Sequence, residues 1–299
     1  MQKVEMFEMN EKVYPALYRA TDLASIRSQK RYLILVASYS IILILATGLA
    51  VYGIQEAVSA IIAAVLIIIS TFTSLFMIFI KDEDKWYRTR AVAESVKTIT
   101  WRFMMRADPF GTKKDVNDVK TQFRELLRKI LKEHKDLAHE LRGRLCSEEQ
   151  ITESMCYVRD LALKDRIEIY RIYRIDEQRK WYEKKSTRNK KHGQYWFGVL
   201  ILCQLIAIIL VICRVAYPNW EYWPSEIFVV SAGATLTWIQ VKRFQEVSAA
   251  YGITAHEVGI IRGELESVFQ EKDFAQFIID SENAFSREHT QWLARKDVL

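Results

Sequence analysis

The sequence predicts an all-α membrane protein: four transmembrane helices in two hairpins, with long cytosolic helices between and after them. Three observations carry the prediction. Leu33 to Ile54 and Ala57 to Ile80 hold no charged side chain, and each exceeds the roughly 20 helical residues that cross a hydrocarbon core. Both runs are apolar all round rather than striped, unlike a helical hairpin buried in a soluble core. Only 10 Gly and 4 Pro in 299 residues argue against a fold rich in strands or loops. The mean hydropathy is near zero because the apolar residues are concentrated and the remainder is strongly charged.

Residues 1–31 are polar, and a helix is expected from about Tyr14. With Glu5, Glu8, Glu11 and Asp22 and without a short apolar run before a small-residue cleavage site, this stretch is not expected to be a signal peptide. Arg27, Lys30 and Arg31 stop at the expected membrane edge, and Tyr32 follows as an interfacial aromatic. The first span, about 33–54, turns through Gly53-Ile54-Gln55-Glu56 into the second, about 57–80, which ends against Lys81-Asp82-Glu83-Asp84-Lys85. Four residues cannot hold a soluble domain, so the pair is a hairpin.

Beyond Lys81 the pattern is charged and helical. Trp86, Arg90, Glu94, Lys97 and Trp101 recur at steps of three and four and share one helix face. Asp108-Pro109-Phe110-Gly111 is expected to stop this helix. A second charged helix is expected from Asp115 to Leu141, with Val116, Val119, Phe123, Leu126, Leu127, Ile130, Leu131, Leu137 and Leu141 in its apolar stripe and Gly143 at its end. Ser147 and Gln150 have the spacing of a capping box for the next helix. Arg166 to Lys191 is a polar, aromatic-rich helix that delivers Asn189-Lys190-Lys191-His192 to the membrane.

The third span covers about 196–213. Tyr217, Trp220, Tyr222 and Trp223 give the connection after it an interfacial composition. The fourth span, about 226–241, is the least apolar, with Ser231, Gly233, Thr235, Thr237 and Gln240; such a span is shielded by neighbours or lines water. Basic residues gather at 27–31, 81–90, 184–191 and 242–243, so both termini and residues 81–194 are expected in the cytosol. Headgroup contact by these clusters accounts for the net charge of +6 without nucleic acid. Four cysteines without a CxxC pair make no case for disulfides.

The chain repeats one plan: a polar helix, a two-span hairpin, and a charged helix returning to the cytosol. The expected domains are a first unit at 1–110, a helical connector at 111–158 and a second unit at 159–299. Two hairpins per chain suggest that several chains assemble around an axis.

Tyr14-Pro15-Ala16-Leu17-Tyr18 and Trp101-Arg102-Phe103-Met104-Met105-Arg106-Ala107-Asp108-Pro109-Phe110 resemble one branch of the SLATT family. Arg174-Ile175-Asp176, Gln178, Trp181-Tyr182, Trp238 and the EHTQWLAR segment at 288–295 resemble a second branch. The resemblance covers nearly the whole chain and implies two SLATT-like units in tandem. Members are bacterial two-span modules found beside nucleotide second-messenger synthases and nucleotide-sensing domains. The resemblance further implies a pore-forming effector of antiviral or self-killing conflict systems, in a bacterial inner membrane. A homo-oligomer is expected from the paired hairpins, with a nucleotide second messenger or cytosolic sensor protein as the expected trigger.

Candidate residues follow from both lines of reading. Ser70, Thr71, Ser74, Gln204, Ser231, Thr235 and Gln240 are the polar groups that could line a pore, or else pack helix against helix. Arg90, Arg102, Arg174 and Trp181 are candidates for a phosphorylated ligand or a protein partner, against the alternative of a solvated, ion-paired helix. Trp86, Trp101, Trp181 and Trp292 could form an aromatic cage, but helical spacing favours core and interface anchors. No nucleotide loop, metalloprotease or nucleophile-elbow motif occurs, and no enzyme, cofactor or metal is expected. His134 and His139 lie five apart, off a common helix face. The competing function is a non-conducting membrane scaffold or sensor that recruits cytosolic partners through its charged helices.

Overall fold

The computed structural model describes residues 7–52, 57–111, 115–141 and 147–296, with backbone alone at 136, 138, 139 and 287–296. Every regular element among them is a helix. The Gly53–Glu56 break, Gly143 and the side chain of Trp292 lie outside what is described.

A 3₁₀ turn, Glu11–Val13, precedes the long helix α1 (Ala16–Tyr52). Next come α2 (Ala57–Ile80) and α3 (Asp82–Met104), separated only by Lys81 in the left-handed region at φ 51°. The charged helix α3 ends before the expected Asp108-Pro109 stop. Arg106 adopts φ 58°, the Ala107 amide donates to the Arg102 carbonyl at 3.0 Å and the Arg106 amide to that of Phe103 at 3.3 Å. This is a Schellman closure with arginine where glycine is usual.

The expected 115–141 helix is divided: α4 (Val116–Glu133), a 3₁₀ turn (Lys135–Leu137) and α5 (Ala138–Leu141). Asp115 caps α4, its carboxylate accepting from the Asn117 amide at 3.1 Å. Val119, Phe123, Leu127 and, past the break, Leu137 are buried, Leu126 and Ile130 are half-buried, and Val116 and Leu131 at the two ends of α4 are exposed. Thr152, not Ser147, caps the following helix α6 (Glu153–Asp160) by accepting from the Met155 amide. Gln150 serves another helix: its side-chain oxygen accepts from the Leu17 amide at 3.1 Å, satisfying one of the free donors at the start of α1. A capping box is a local pattern, and here a long-range partner takes the glutamine.

Then follow α7 (Leu163–Tyr170), a π-helical turn (Arg171–Asp176) and α8 (Glu177–Ala216). The chain closes with α9 (Ser225–Lys242), α10 (Phe244–Glu264), a 3₁₀ turn (Leu265–Ser267) and α11 (Glu271–Lys296). Arg243, at φ 46°, separates α9 from α10 as Lys81 separates α2 from α3. The same backbone device thus occurs twice, a basic residue in the left-handed region between two consecutive helices.

Two compact units divide the chain. One, the charged unit, comprises Met1–Gln29, Glu83–Tyr182 and Ile253–Leu299. Its core is aromatic: Trp101 meets Tyr170 edge-on at 5.5 Å, Tyr170 meets Phe274 and Phe277, and Phe103, Phe110 and Phe123 form a second cluster.

The other unit, Lys30–Asp82 and Glu183–Gly252, holds the apolar helices. Ile61, Phe72 and Phe79 on α2 and Ile208, Ile212 and Val215 on α8 are exposed. Apolar exposure on this scale marks helices whose solvent is lipid. Three helical runs are long and apolar enough to cross a membrane: Ala16–Tyr52, Ala57–Met104 and Leu163–Ala216. The helix α9 forms where the fourth span is expected but is not among them. Inside this unit Arg31 holds the buried carboxylate of Asp82 with two donors. The counterpart in the second half is apolar: a Cβ on Gly193 would come within 3.1 Å of Phe244, and the His192 ring stacks on Phe244 at 6.1 Å. Ser186 and Ser248 bond each other's carbonyls at 2.8 and 2.9 Å.

Candidate functional site

The face of α3 predicted from its spacing is the starting point. Arg90 donates to Asp22 of α1 at 2.8 Å and to Glu94 one turn on at 2.5 Å. Lys97 follows on the same face, and burial pushes its amine below the ordinary lysine range, with Glu94 partly offsetting this. Burial raises the Asp22 carboxyl, an effect Arg90 opposes. Trp101 is fully buried one turn further and donates to the Tyr14 hydroxyl at 3.2 Å.

Against this face stands an ion pair withdrawn from water. Arg174 is 2% exposed and Glu282 of α11 is 0% exposed. Arg174 donates through Nε to Oε1 at 2.8 Å and through Nη2 to Oε2 at 2.7 Å, the two-pronged geometry that guanidinium and carboxylate favour. The Tyr170 hydroxyl donates to the same Oε1 at 3.0 Å. Burial alone would lower the Arg174 pKa, but Glu282 outweighs it and the guanidinium is held above its usual value. Burial, reinforced by Glu282, pushes the Tyr170 phenol well up, and burial raises Tyr14 and Tyr18 as well. The third Arg174 nitrogen, Nη1, has no hydrogen-bond partner among the described residues, while the guanidinium lies over the Phe285 ring at 4.6 Å.

Arg174 sits in the π-helical turn, which interrupts an otherwise continuous helical run from Leu163 to Ala216. Such turns widen the backbone ladder and recur at functional positions. One part of this run therefore carries the arginine of the buried pair, and the other is apolar enough to cross a membrane.

A second set of arginines closes the end of α3. Arg159 donates to the Phe103 carbonyl at 2.7 Å, and Arg166 donates to that of Met105 at 2.9 Å and to Glu271. Burial, with Arg106 and Arg166 nearby, brings Arg159 down to about 10. Arg159 adds a second donor to the Phe103 carbonyl, which already accepts from the Arg106 amide, and Arg166 supplies one to the Met105 carbonyl just past the helix end.

The ligand candidates separate on inspection. Arg90 and Arg174 belong to the network just described. Arg102, half-buried, donates to Asn283, the neighbour of Glu282 on α11, at 2.7 Å. Trp181 is exposed and meets Tyr182 edge-on. The chemistry available is electrostatic: a set of fixed charges, mutually dependent, and sensitive to any event that separates α11 from the π-helical turn.

The polar groups of the apolar helices fall into two kinds. Ser70 and Thr71 both bond the Ile67 carbonyl, Ser74 bonds that of Thr71, and Thr235 bonds that of Ser231 at 2.8 Å. Hydroxyls folded back onto their own helix need no water. Ser70 and Thr235 are buried and Ser231 is half-buried. Gln204 and Gln240 are exposed.

Glu282, Tyr14 and Lys97 complete the network without having been candidates. A signal for Glu282 was available: Phe274, Ile278, Glu282 and Phe285 stand at steps of four, four and three, so a carboxylate occupies an apolar stripe.

Comparison with known protein families places two matches end to end. Residues 15–167 match the family model described as SMODS and SLOG-associating 2TM effector domain 3, SLATT_3. Residues 170–292 match SMODS and SLOG-associating 2TM effector domain 1, SLATT_1. The first match takes in residues 111–158, expected above as a connector. No curated protein and no solved structure matches the chain.

Proposed function

The chain belongs to the SLATT family of effector domains associated with bacterial conflict systems, carrying two such domains in tandem, and from that premise we propose that it is an oligomeric, gated ion-permeable pore. The lipid-facing helices form the conducting part. The charged unit is the gate, held shut by the Arg174–Glu282 pair until a nucleotide or a sensor protein displaces it.

One observation carries the reading. The helical run Leu163–Ala216 holds Arg174 of the buried pair, within a π-helical turn, in its polar part and a membrane-length apolar segment in the remainder. A change at the pair is thereby covalently continuous with a span. Support for two hairpins comes from partner order. Asp22 pairs with Arg90, and Arg31 with Asp82, so numbers rise along α1 as they fall along its partner. Asp176 pairs with Arg262, Ser186 with Ser248, and Trp196 with Trp238 at 6.2 Å in the same opposed order. On this reading α9 is the fourth span, sheltered by its neighbours, and both termini face the cytosol of a bacterial inner membrane, as the basic clusters direct.

Reconstitution in liposomes loaded with a potential-sensitive dye, with subunits counted on the same sample, tests the proposal. Ion flux that rises when Glu282→Gln weakens the pair supports it. A monomer that passes no ions, in native and variant form alike, overturns it. The scaffold reading is favoured by the extent of the charged unit, and a stable cytosolic partner on a sealed oligomer would select it.

A further inference from the structure

In the apolar part of α8, Phe197, Ile201, Gln204, Ile208, Val211 and Val215 follow one another at alternating steps of four and three residues, and all six are exposed. That is the seven-residue repeat by which one helix lines up along another, with a single polar residue inside it. Gln204 stands nine residues from both Tyr195 and Cys213, about 13 Å of helix from either end of the apolar segment, and so near mid-depth.

The amide is out of place there. Hydroxyls in the neighbouring spans bond carbonyls of their own helix, as at Thr47, Ser70 and Thr235. The Gln204 carboxamide makes no hydrogen bond among the described residues. Hydrocarbon offers it neither donor nor acceptor, and an unmade bond at that depth is costly. A carboxamide both donates and accepts, so the partner that satisfies it most simply is another carboxamide at equal depth. Rotation about an axis normal to the membrane brings Gln204 of each copy to that place.

We propose that this seam is the contact through which copies of the chain associate, with Gln204 bonded to the Gln204 of a second copy and fixing the register. The proposal rests on the oligomeric reading above and gives that oligomer its interface. It makes Gln204 a contact between copies, not a wall of the conducting path. The second exposed stripe of α8, through Leu202, Leu205, Ile209 and Ile212, is wholly apolar and is left to lipid.

The test is made on the full chain in liposomes, by subunit counting and by crosslinking. With the native cysteines replaced by serine or alanine, Gln204→Cys is expected to form a disulfide-linked dimer under mild oxidation, and Leu205→Cys is not. Gln204→Leu is expected to weaken association by about threefold to thirtyfold, the range measured for hydrogen bonds between membrane helices, and Gln204→Asn to restore most of it. Equal crosslinking at both positions, or a Gln204→Leu oligomer as tight as the native one, overturns the seam. If flux then persists, the pore reading survives and only this interface is lost. Labelling of Gln204→Cys by a membrane-impermeant thiol reagent in an uncrosslinked oligomer returns the residue to the water path. A chain that is monomeric and non-conducting throughout defeats both.

Discussion

Removing one member of the Arg174–Glu282 pair is the most informative perturbation of the charged unit. Glu282→Ala leaves a guanidinium 2% exposed with neither of its two carboxylate contacts, and the Tyr170 hydroxyl loses its acceptor. Breaking a buried pair from one side costs about 3–5 kcal/mol. For a unit of this size that corresponds to a fall in Tm of about 6–20 °C. Arg174→Met strands the carboxylate and is expected to cost a comparable amount. The double variant Arg174→Met, Glu282→Leu strands neither charge and leaves only the Tyr170 hydroxyl without its acceptor, so its cost is expected to be about 1–3 kcal/mol, well below the sum of the two. Trp101, buried at 5.5 Å from Tyr170, reports melting of this core by its fluorescence in detergent solution. The reasoning fails if each single variant costs less than about 1 kcal/mol, or if the double variant costs the sum of the two, because either result denies the coupling between the groups.

Lys97 supplies a pH signature: its folded pKa lies below the 10.5 of the free side chain, so between those values the unfolded chain binds the extra proton and stability rises with pH. Lys97→Met is expected to flatten that rise in melting curves taken at pH values below 10.5 and kept clear of the Arg159 titration, which is centred at about 10. Gly193→Val drives a side chain into Phe244, where even a Cβ stands at 3.1 Å, and is expected to cost about 1–3 kcal/mol, while Gly198→Ala, with nothing within 4 Å, is close to neutral by the same thermal assay. Gln150→Ala uncaps α1 at the Leu17 amide and is expected to lower stability by about 1 kcal/mol, although it lies far away in sequence. Thr235→Val keeps the volume of a buried residue whose hydroxyl is already bonded to its own helix, so flux in the liposome assay is expected to persist; a loss of flux would mean that this hydroxyl meets water.

The parts legible in the sequence were those with a local period. Charge-free runs gave the apolar helices, and the three-and-four spacing of Trp86, Arg90, Glu94, Lys97 and Trp101 gave the face of α3 on which the buried network is built. What escaped depends on partners remote in sequence or on backbone states that no residue type announces. Gln150 has the spacing of a local cap and serves α1 instead. Lys81, Arg106 and Arg243 take the left-handed conformation without being glycine: charge marked the helix ends at Ile80 and Lys242, but nothing in the residue types announced the left-handed turn itself. The π-helical turn at Arg171–Asp176 leaves no trace in a 3.6-residue period. Glu282 was readable in principle, since a carboxylate in an apolar stripe needs a buried cation, but the sequence does not say which arginine supplies it.

The tandem arrangement also changes what a domain means in this chain. The two family matches meet between residues 167 and 170, yet the charged unit draws on both. Trp101 and Arg166 lie in the first match, while their partners Tyr170 and Glu271 lie in the second. Arg102 reaches Asn283 across the same divide. Neither half can close this core alone, because each would expose aromatic surface and leave Arg166 without its carboxylate. Fusing the halves in one chain sets their ratio at one to one and raises the effective concentration of each for the other. An effector built this way has a single shared core where two separate modules would have two, so a disturbance of the Arg174–Glu282 pair cannot be confined to the half that contains it.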